Sequence, residues 1–193
     1  GLRAHYPMDG NGGDISGNGF QAFLAGVAPA EDRQGRPNAA LRFNGVNNYV
    51  LVPGTALLPR QGGTISLWAK VDDNVTQFNL FAERRPVVAE PFFRAQLGSF
   101  QGLGQPLDTF LFSINAPTEP RTVAPSSQYG FTAWHLYTFT WDRASKKIYF
   151  DGELLADFQG DYAGPQGGDL YLGTNSVNFY ESLRGVMDDV RIY

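Results

Sequence analysis

Thr64-Ile65-Ser66-Leu67-Trp68-Ala69-Lys70-Val71 decides the fold class. Ile65, Leu67, Ala69 and Val71 fall on one side of an extended chain, the period-two pattern of a strand with one buried face. The same alternation recurs on either side of it. Ala4, Tyr6 and Met8 share a face near the start. Leu41-Arg42-Phe43 ends at Asn44-Gly45, and Asn48–Val52 stops at Pro53. Further strands are predicted at Phe93–Leu97, Thr109–Ile114, His135–Trp141, Lys147–Phe150, Asp169–Leu172 and Val186–Tyr193. Hairpin turns are read at Trp141–Ile148 and Phe150–Leu154, the second built on Asp151-Gly152. Only Thr55–Leu58 reads as a helical turn.

Composition agrees. The 193 residues are 14% aromatic, with 23 glycines and 12 prolines, so aromatic and β-branched runs are cut repeatedly by turn formers. A chain of this length buries roughly 70% of its unfolded surface, enough for a core without covalent staples. There is no cysteine, which excludes disulfides, thiolate metal sites and cysteine nucleophiles. Net charge is −4 and the basic residues are scattered, which disfavours nucleic acid as a partner. No apolar run approaches the roughly 20 residues of a membrane-spanning helix.

About a dozen strands without a conventional helix imply an all-β, antiparallel β-sandwich of two stacked sheets, roughly six to seven strands each. Residues 1–193 read as a single domain, because the strands on both sides of the irregular stretch 116–127 are needed to complete the sheets. Loops from the longer Asp72–Ser127 stretch are expected to shape a binding surface.

The two ends are rich in oxygen. His5 to Gly19 carries Asp9, Asn11, Asp14 and Asn18 among closely spaced glycines, and the closing segment carries Asp188-Asp189. Glycine-held turns of this kind present hard oxygen ligands to calcium. The alternative is that Asp and Asn cap the turns through the local backbone.

Seven elements in order resemble a laminin-G-like jelly roll of the concanavalin A-like lectin/glucanase superfamily. They are the opening signature, Gly35–Gly45 with Asn48-Tyr49-Val50, Gly63–Lys70, Trp134–Phe139, Ile148–Gly152, Leu170–Gly173 and Met187–Tyr193. The resemblance implies a concanavalin A-like sandwich whose first and last strands are neighbours. It further implies that Asp188 joins Asp9, Asn11, Asp14 and Asn18 in a structural calcium site, with Asp189 as substitute if a bulge shifts the register. An acid on that strand should in any case have a cation or several donors. It implies an accessory, non-catalytic binding module of a larger secreted protein, extracellular, periplasmic or on the cell surface. The chain's end on the closing strand fits such a module.

Trp68 and Trp134 occupy positions that pack the core in that family, whereas Trp141, beside a turn, reads as more open. The loop aromatics and their polar neighbours are the ligand candidates: Phe78, Asn79, Arg84, Arg85, Phe92, Arg94, Asn178 and Tyr180, with Phe81, Phe93 and Phe179 beside them. Ring faces stack on sugar C–H surfaces while amides and guanidinium groups bond hydroxyls. The same rings could equally pad a long loop. Catalysis is disfavoured. Glycosidases need two facing carboxyls, and the Glu-x-Asp-x-x-Glu string of laminarinase-like enzymes is absent. The expected function is therefore recognition of a glycan or glycosylated surface. A structural or protein-binding adhesion domain is the alternative, and a glycoside hydrolase is less favoured.

Overall fold

The computed structural model describes residues 1–54, 56–73, 78–84, 93–98, 109–114, 122–125, 130–175 and 181–193. Among the described residues there are fifteen strands and no helix. They form two antiparallel sheets, a β-sandwich as the alternation predicts.

The larger sheet runs β13 (Glu153–Gln159), β12 (Ser145–Phe150), β11 (His135–Asp142), β6 (Gly62–Val71), β15 (Arg184–Ile192), β4 (Ala40–Asn44) and β3 (Ala28–Ala30). The opening strand β1 (Ala4–Tyr6) adds to β15 through Tyr6↔Val190, His5↔Arg191 and Ala4↔Ile192. First and last strands are therefore neighbours, as the family resemblance implied. The smaller sheet runs β10 (Thr122–Pro125), β9 (Thr109–Ile114), β8 (Phe93–Gly98), β7 (Phe78–Arg84), β14 (Asp169–Leu172), β5 (Tyr49–Val52) and β2 (Phe23–Ala25).

The core lies between them. Ile65, Leu67, Ala69 and Val71 face inward and are buried, as their spacing requires. Rings from the two sheets interlock edge to face: Phe81 with Phe139 at 5.3 Å and Phe93 with Trp141 at 4.8 Å between centroids. Aromatic pairs prefer this geometry because the positive ring edge meets the negative face.

Two expectations reverse. Trp141 is buried in the core, where its indole nitrogen donates to the Pro59 carbonyl at 3.0 Å. Trp68 is paired with Asp188 on the outer face of the larger sheet and lies under the Arg33 guanidinium, 5.0 Å from its ring. Trp134 is likewise only half-buried, with Lys70 Nζ 5.2 Å from its ring. Packing beneath a cation satisfies a large ring without a place in the core.

Within Asp72–Ser127 the strands predicted at Phe93–Leu97 and Thr109–Ile114 are present, and two further strands join them. They are β7, β8, β9 and β10, the middle and one edge of the smaller sheet. The turn read at Thr55–Leu58 is described from Ala56 onward and contains no helix.

Candidate functional site

Asp14 sits in the N-terminal loop with its carboxylate turned to the backbone. The amides of His5, Ser16 and Phe20 donate to it at 3.0, 2.9 and 3.0 Å. Desolvation raises its pKa, but these donors outweigh it and hold the group below its ordinary value. Asn18 donates to the Leu2 and Arg3 carbonyls, and Asn11 closes a local turn by accepting from Gly13. Asp9 is exposed beside them.

Asp188 lines a cleft that Asp9 also borders. Strand β15 carries a bulge between Asp188 and Arg191, with Asp189 in the left-handed region at φ 50°. The extra residue shifts the alternation, so Val190 and Ile192 pack inward while Asp188 opposes Trp68 outside. Both acids hold Arg33: Nη1 bonds Asp188, and Nη2 reaches Asp189 at 3.2 Å. His5 Nε2 meets Asp189 at 2.7 Å. Burial, opposed by Arg33 and reinforced by Asp189, pushes Asp188 up to about 6. The acid expected to need a cation has one, and it is a guanidinium. Asp9 borders the same cleft as Asp188 and Asp189, while Asn11, Asp14 and Asn18 bond to the local backbone. The described residues contain no group of three or more His, Cys, Asp or Glu that could hold a metal. The cleft, of about 300 Å3, adjoins this ion-pair network.

The ligand candidates divide. Phe78, and with it Phe81 and Phe93, is buried between the sheets and is not on a loop. Its neighbours in sequence reach the opposite face. A bulge between Asn79 and Phe81 lets Leu80 and Phe81 both point inward, yet keeps Asn79 outside opposite Gln96. Arg94 shares that outer face, and Arg84 is half-buried beside Asp169. Arg85, Phe92, Asn178, Phe179 and Tyr180 lie outside the described residues.

Register defines one row straight across this outer face. Phe23 pairs with Leu51, Leu51 with Tyr171, Tyr171 with Ala82, Ala82 with Arg94 and Arg94 with Ser113. Phe23 is 62% exposed, whereas Arg94 and Ser113 are nearly buried. Tyr49 lies beside Tyr171 with ring centroids 5.6 Å apart and a 48° tilt. The row thus runs from an open aromatic end to a closed polar end.

At the polar end Asn79 Nδ2 donates to Glu181 Oε2 at 3.1 Å, and Gln96 Nε2 donates to the same oxygen. Asn175 Nδ2 joins them at 3.3 Å, with Arg94 Nη1 3.9 Å away. Asn175 follows Gly173, whose φ is +83°, and the Gly173 carbonyl accepts from Leu183, two residues beyond Glu181. A Cβ on Gly173 would run into the Phe43 ring, so only glycine fits. Glu83 faces the other way and fixes a loop by accepting from the Gln166 and Gly168 amides.

Sequence reasoning found Asn79 and Arg94 but missed Gln96, Glu181, Tyr49, Tyr171 and Phe23. Gln96 was within reach, because alternation in Phe93–Leu97 puts it on the face of Arg94. Nothing local marks Glu181.

A laminin-G-type family model, described as the concanavalin A-like lectin/glucanases superfamily, matches residues 44–193. The chain belongs to this superfamily. The matched span holds every strand of the concanavalin A-like domain except β1, β2, β3 and most of β4, so the glycine-rich opening lies outside it. Among solved structures, domain 4 of AbnA, an extracellular arabinanase of Geobacillus stearothermophilus in complex with arabinotriose, superposes with a TM-score of 0.74. Identity is 19%, over 100% of this chain and 91% of that one. Trypanosoma rangeli sialidase in complex with sialic acid gives 0.72 at 17% identity, over 100% of this chain and 30% of that one. The binding domain of botulinum neurotoxin DC in complex with rat synaptotagmin II gives 0.68 at 11% identity, over 100% and 48%. This concanavalin A-like domain therefore spans about a third of the sialidase and half of the neurotoxin domain. No curated protein sequence matches it. Among the described residues no helix is long and apolar enough to cross a membrane.

Proposed function

We propose that this domain is a non-catalytic module that recognises glycans along the outer face of its seven-stranded sheet, on a protein acting outside the cell or at its surface. The observation that carries the reading is the register-aligned row from exposed Phe23 through Leu51 and Tyr171 to Arg94. An exposed ring with partly covered rings and convergent polar groups behind it is a usual make-up of a small-ligand site. Ring faces at one end suit sugar C–H surfaces, and amides at the other suit hydroxyls. The similar arabinanase domain with arabinotriose adds support at the level of fold. The non-catalytic part of the reading draws on how the carboxylates are engaged. Glu181 serves amides, Glu83 serves backbone, and Asp188 and Asp189 share Arg33.

Screening the domain on a glycan array, followed by titration of the hits, tests the proposal. Phe23→Ala and Tyr49→Ala are expected to weaken binding by about tenfold, the loss of one well-stacked ring. Silence on every glycan class would overturn the reading in favour of a protein-binding adhesion role. Similarity to a neurotoxin domain in complex with synaptotagmin II makes that the second reading.

A further inference from the structure

The cleft beside Arg33 lies on the larger sheet, where β1 meets the bulge of β15, and shares no residue with the row on the smaller sheet. Its volume of about 300 Å3 is at the small end for a ligand site. Asp189 is fully engaged there, accepting from His5, Arg33 and Arg191.

The groups around it have bonding capacity left. Arg36 is anchored through Nε to buried Asp32 at 2.6 Å, on a side chain 65% exposed. Neither of its Nη groups has a hydrogen-bond partner among the described residues. Arg191 spends Nε and Nη2 on Asp189 and keeps Nη1. Asp9 is exposed, and among the described residues only its backbone carbonyl accepts, from Asn11 at 3.2 Å. Asp188 is 2% exposed, and its Oδ2 bonds Arg33 while Oδ1 has no hydrogen-bond partner among the described residues. Ile15, 63% exposed, adds an apolar patch to the rim.

The charges select the class of ligand. Three aspartates and three arginines line the cleft, so an ion of either sign meets its like. A hydroxyl group both donates and accepts, which lets it bond a carboxylate on one side and a guanidinium on the other. We propose that this cleft is a second binding site that takes a single neutral sugar unit or polyol through its hydroxyl groups. Arg36 and Asp9 supply the open donors and acceptor at the rim, and Arg33 and His5 hold the acids behind them. The site stands whether or not the row binds glycan.

Amide chemical shifts of the isotope-labelled domain test it, titrated with arabinose, galactose, glucose and mannitol. At least one of these is expected to give saturable shifts at Asp9, Ile15 and Asp188–Arg191 at about millimolar concentration. Asp9→Ala and Arg36→Ala should each weaken that binding by about fivefold, the worth of one hydrogen bond. Phe23→Ala should leave it unchanged. If Arg36→Ala fails to fold, Asp9→Ala decides. No shift at these amides with any of the four, or shifts that ignore both substitutions, would overturn the proposal. So would a stronger response of the same amides to acetate, methylammonium, glycine or calcium, which would give the cleft to an ion, a zwitterion or a metal. Failure of the glycan reading at the row would leave these shifts in place, so the two are judged separately.

Discussion

Arg33 grips Asp188 across 155 residues of sequence, joining the loop after β3 to the closing strand. The same guanidinium covers Trp68 and reaches Asp189. One long side chain thus shields an aromatic ring and compensates two acids at the bulge of β15.

Burial of Asp188 makes stability depend on pH. Burial, only partly offset by Arg33, raises Asp188 from 3.8 to about 6 in the folded state. The folded protein then holds a proton that the unfolded chain releases, so this contribution is greatest below 3.8 and is lost as pH rises through 6. A rise of that size corresponds to at most about 3 kcal/mol, less where water reaches the neighbouring cleft. Urea melts across this window should show Asp188→Asn and the unmodified domain diverging with pH. A constant difference between them would contradict the assignment. Asp14 and Asp142 carry the opposite sign: their folded values are lowered, so their contribution is lost only at more acidic pH.

The N-terminal loop gives a second expectation. Asp14 already accepts three backbone amides that tie β1 to the turn ending at Phe20. Asp14→Ala should therefore cost about 1–3 kcal/mol by stranding those donors. We expect the same loss in calcium and in chelator. A calcium-dependent rise in melting temperature that Asp14→Ala abolishes would instead restore the oxygen cage implied by the family resemblance.

Where the sequence could be read, it was because alternation ran unbroken. Residues 64–71 place every second side chain in the core, and β11, β12 and β14 follow the same rule. The reading failed at bulges. Leu80 and Phe81 both face inward, so Phe78–Arg84 lacks the strand signature and its rings read as loop aromatics. Past Asp188 the parity changes again, so Val190 and Ile192 face the core while Asp188 does not. The tryptophans were inverted because Trp68 owes its cover to Arg33, a contact between residues far apart in sequence. Two of the five members of the polar cluster, Asn79 and Arg94, were legible from residue type. Its organiser, Glu181, arrives from a turn 85 residues beyond Gln96 and carries no local signal.

That turn depends on Gly173. An alanine there would need a strained left-handed backbone and would press on Phe43 in the core. Gly173→Ala is expected to destabilise the domain by about 2–4 kcal/mol, combining backbone strain with overpacking. Glycan affinity should fall with it in folded protein, because the Gly173 carbonyl accepts from Leu183 at 2.7 Å and so anchors the turn bearing Glu181. A fully stable Gly173→Ala domain would show that the turn has room to rearrange.

Two phenylalanines separate framework from binding face. Phe139 is fully buried, with Phe81 and Phe112 each 5.3 Å away between ring centroids. Phe139→Ala should lose about 3–5 kcal/mol, because ring contacts vanish and a cavity remains between the sheets. Phe23 stands 62% exposed on edge strand β2, where truncation removes little packing. Phe23→Ala should change stability by no more than about 0.5 kcal/mol while weakening glycan binding. Denaturant melts and binding titrations on the two variants give opposite patterns if the outer face is the site. Were Phe23→Ala to unfold the domain like Phe139→Ala, its ring would be framework and the aromatic end of the row would lose its role.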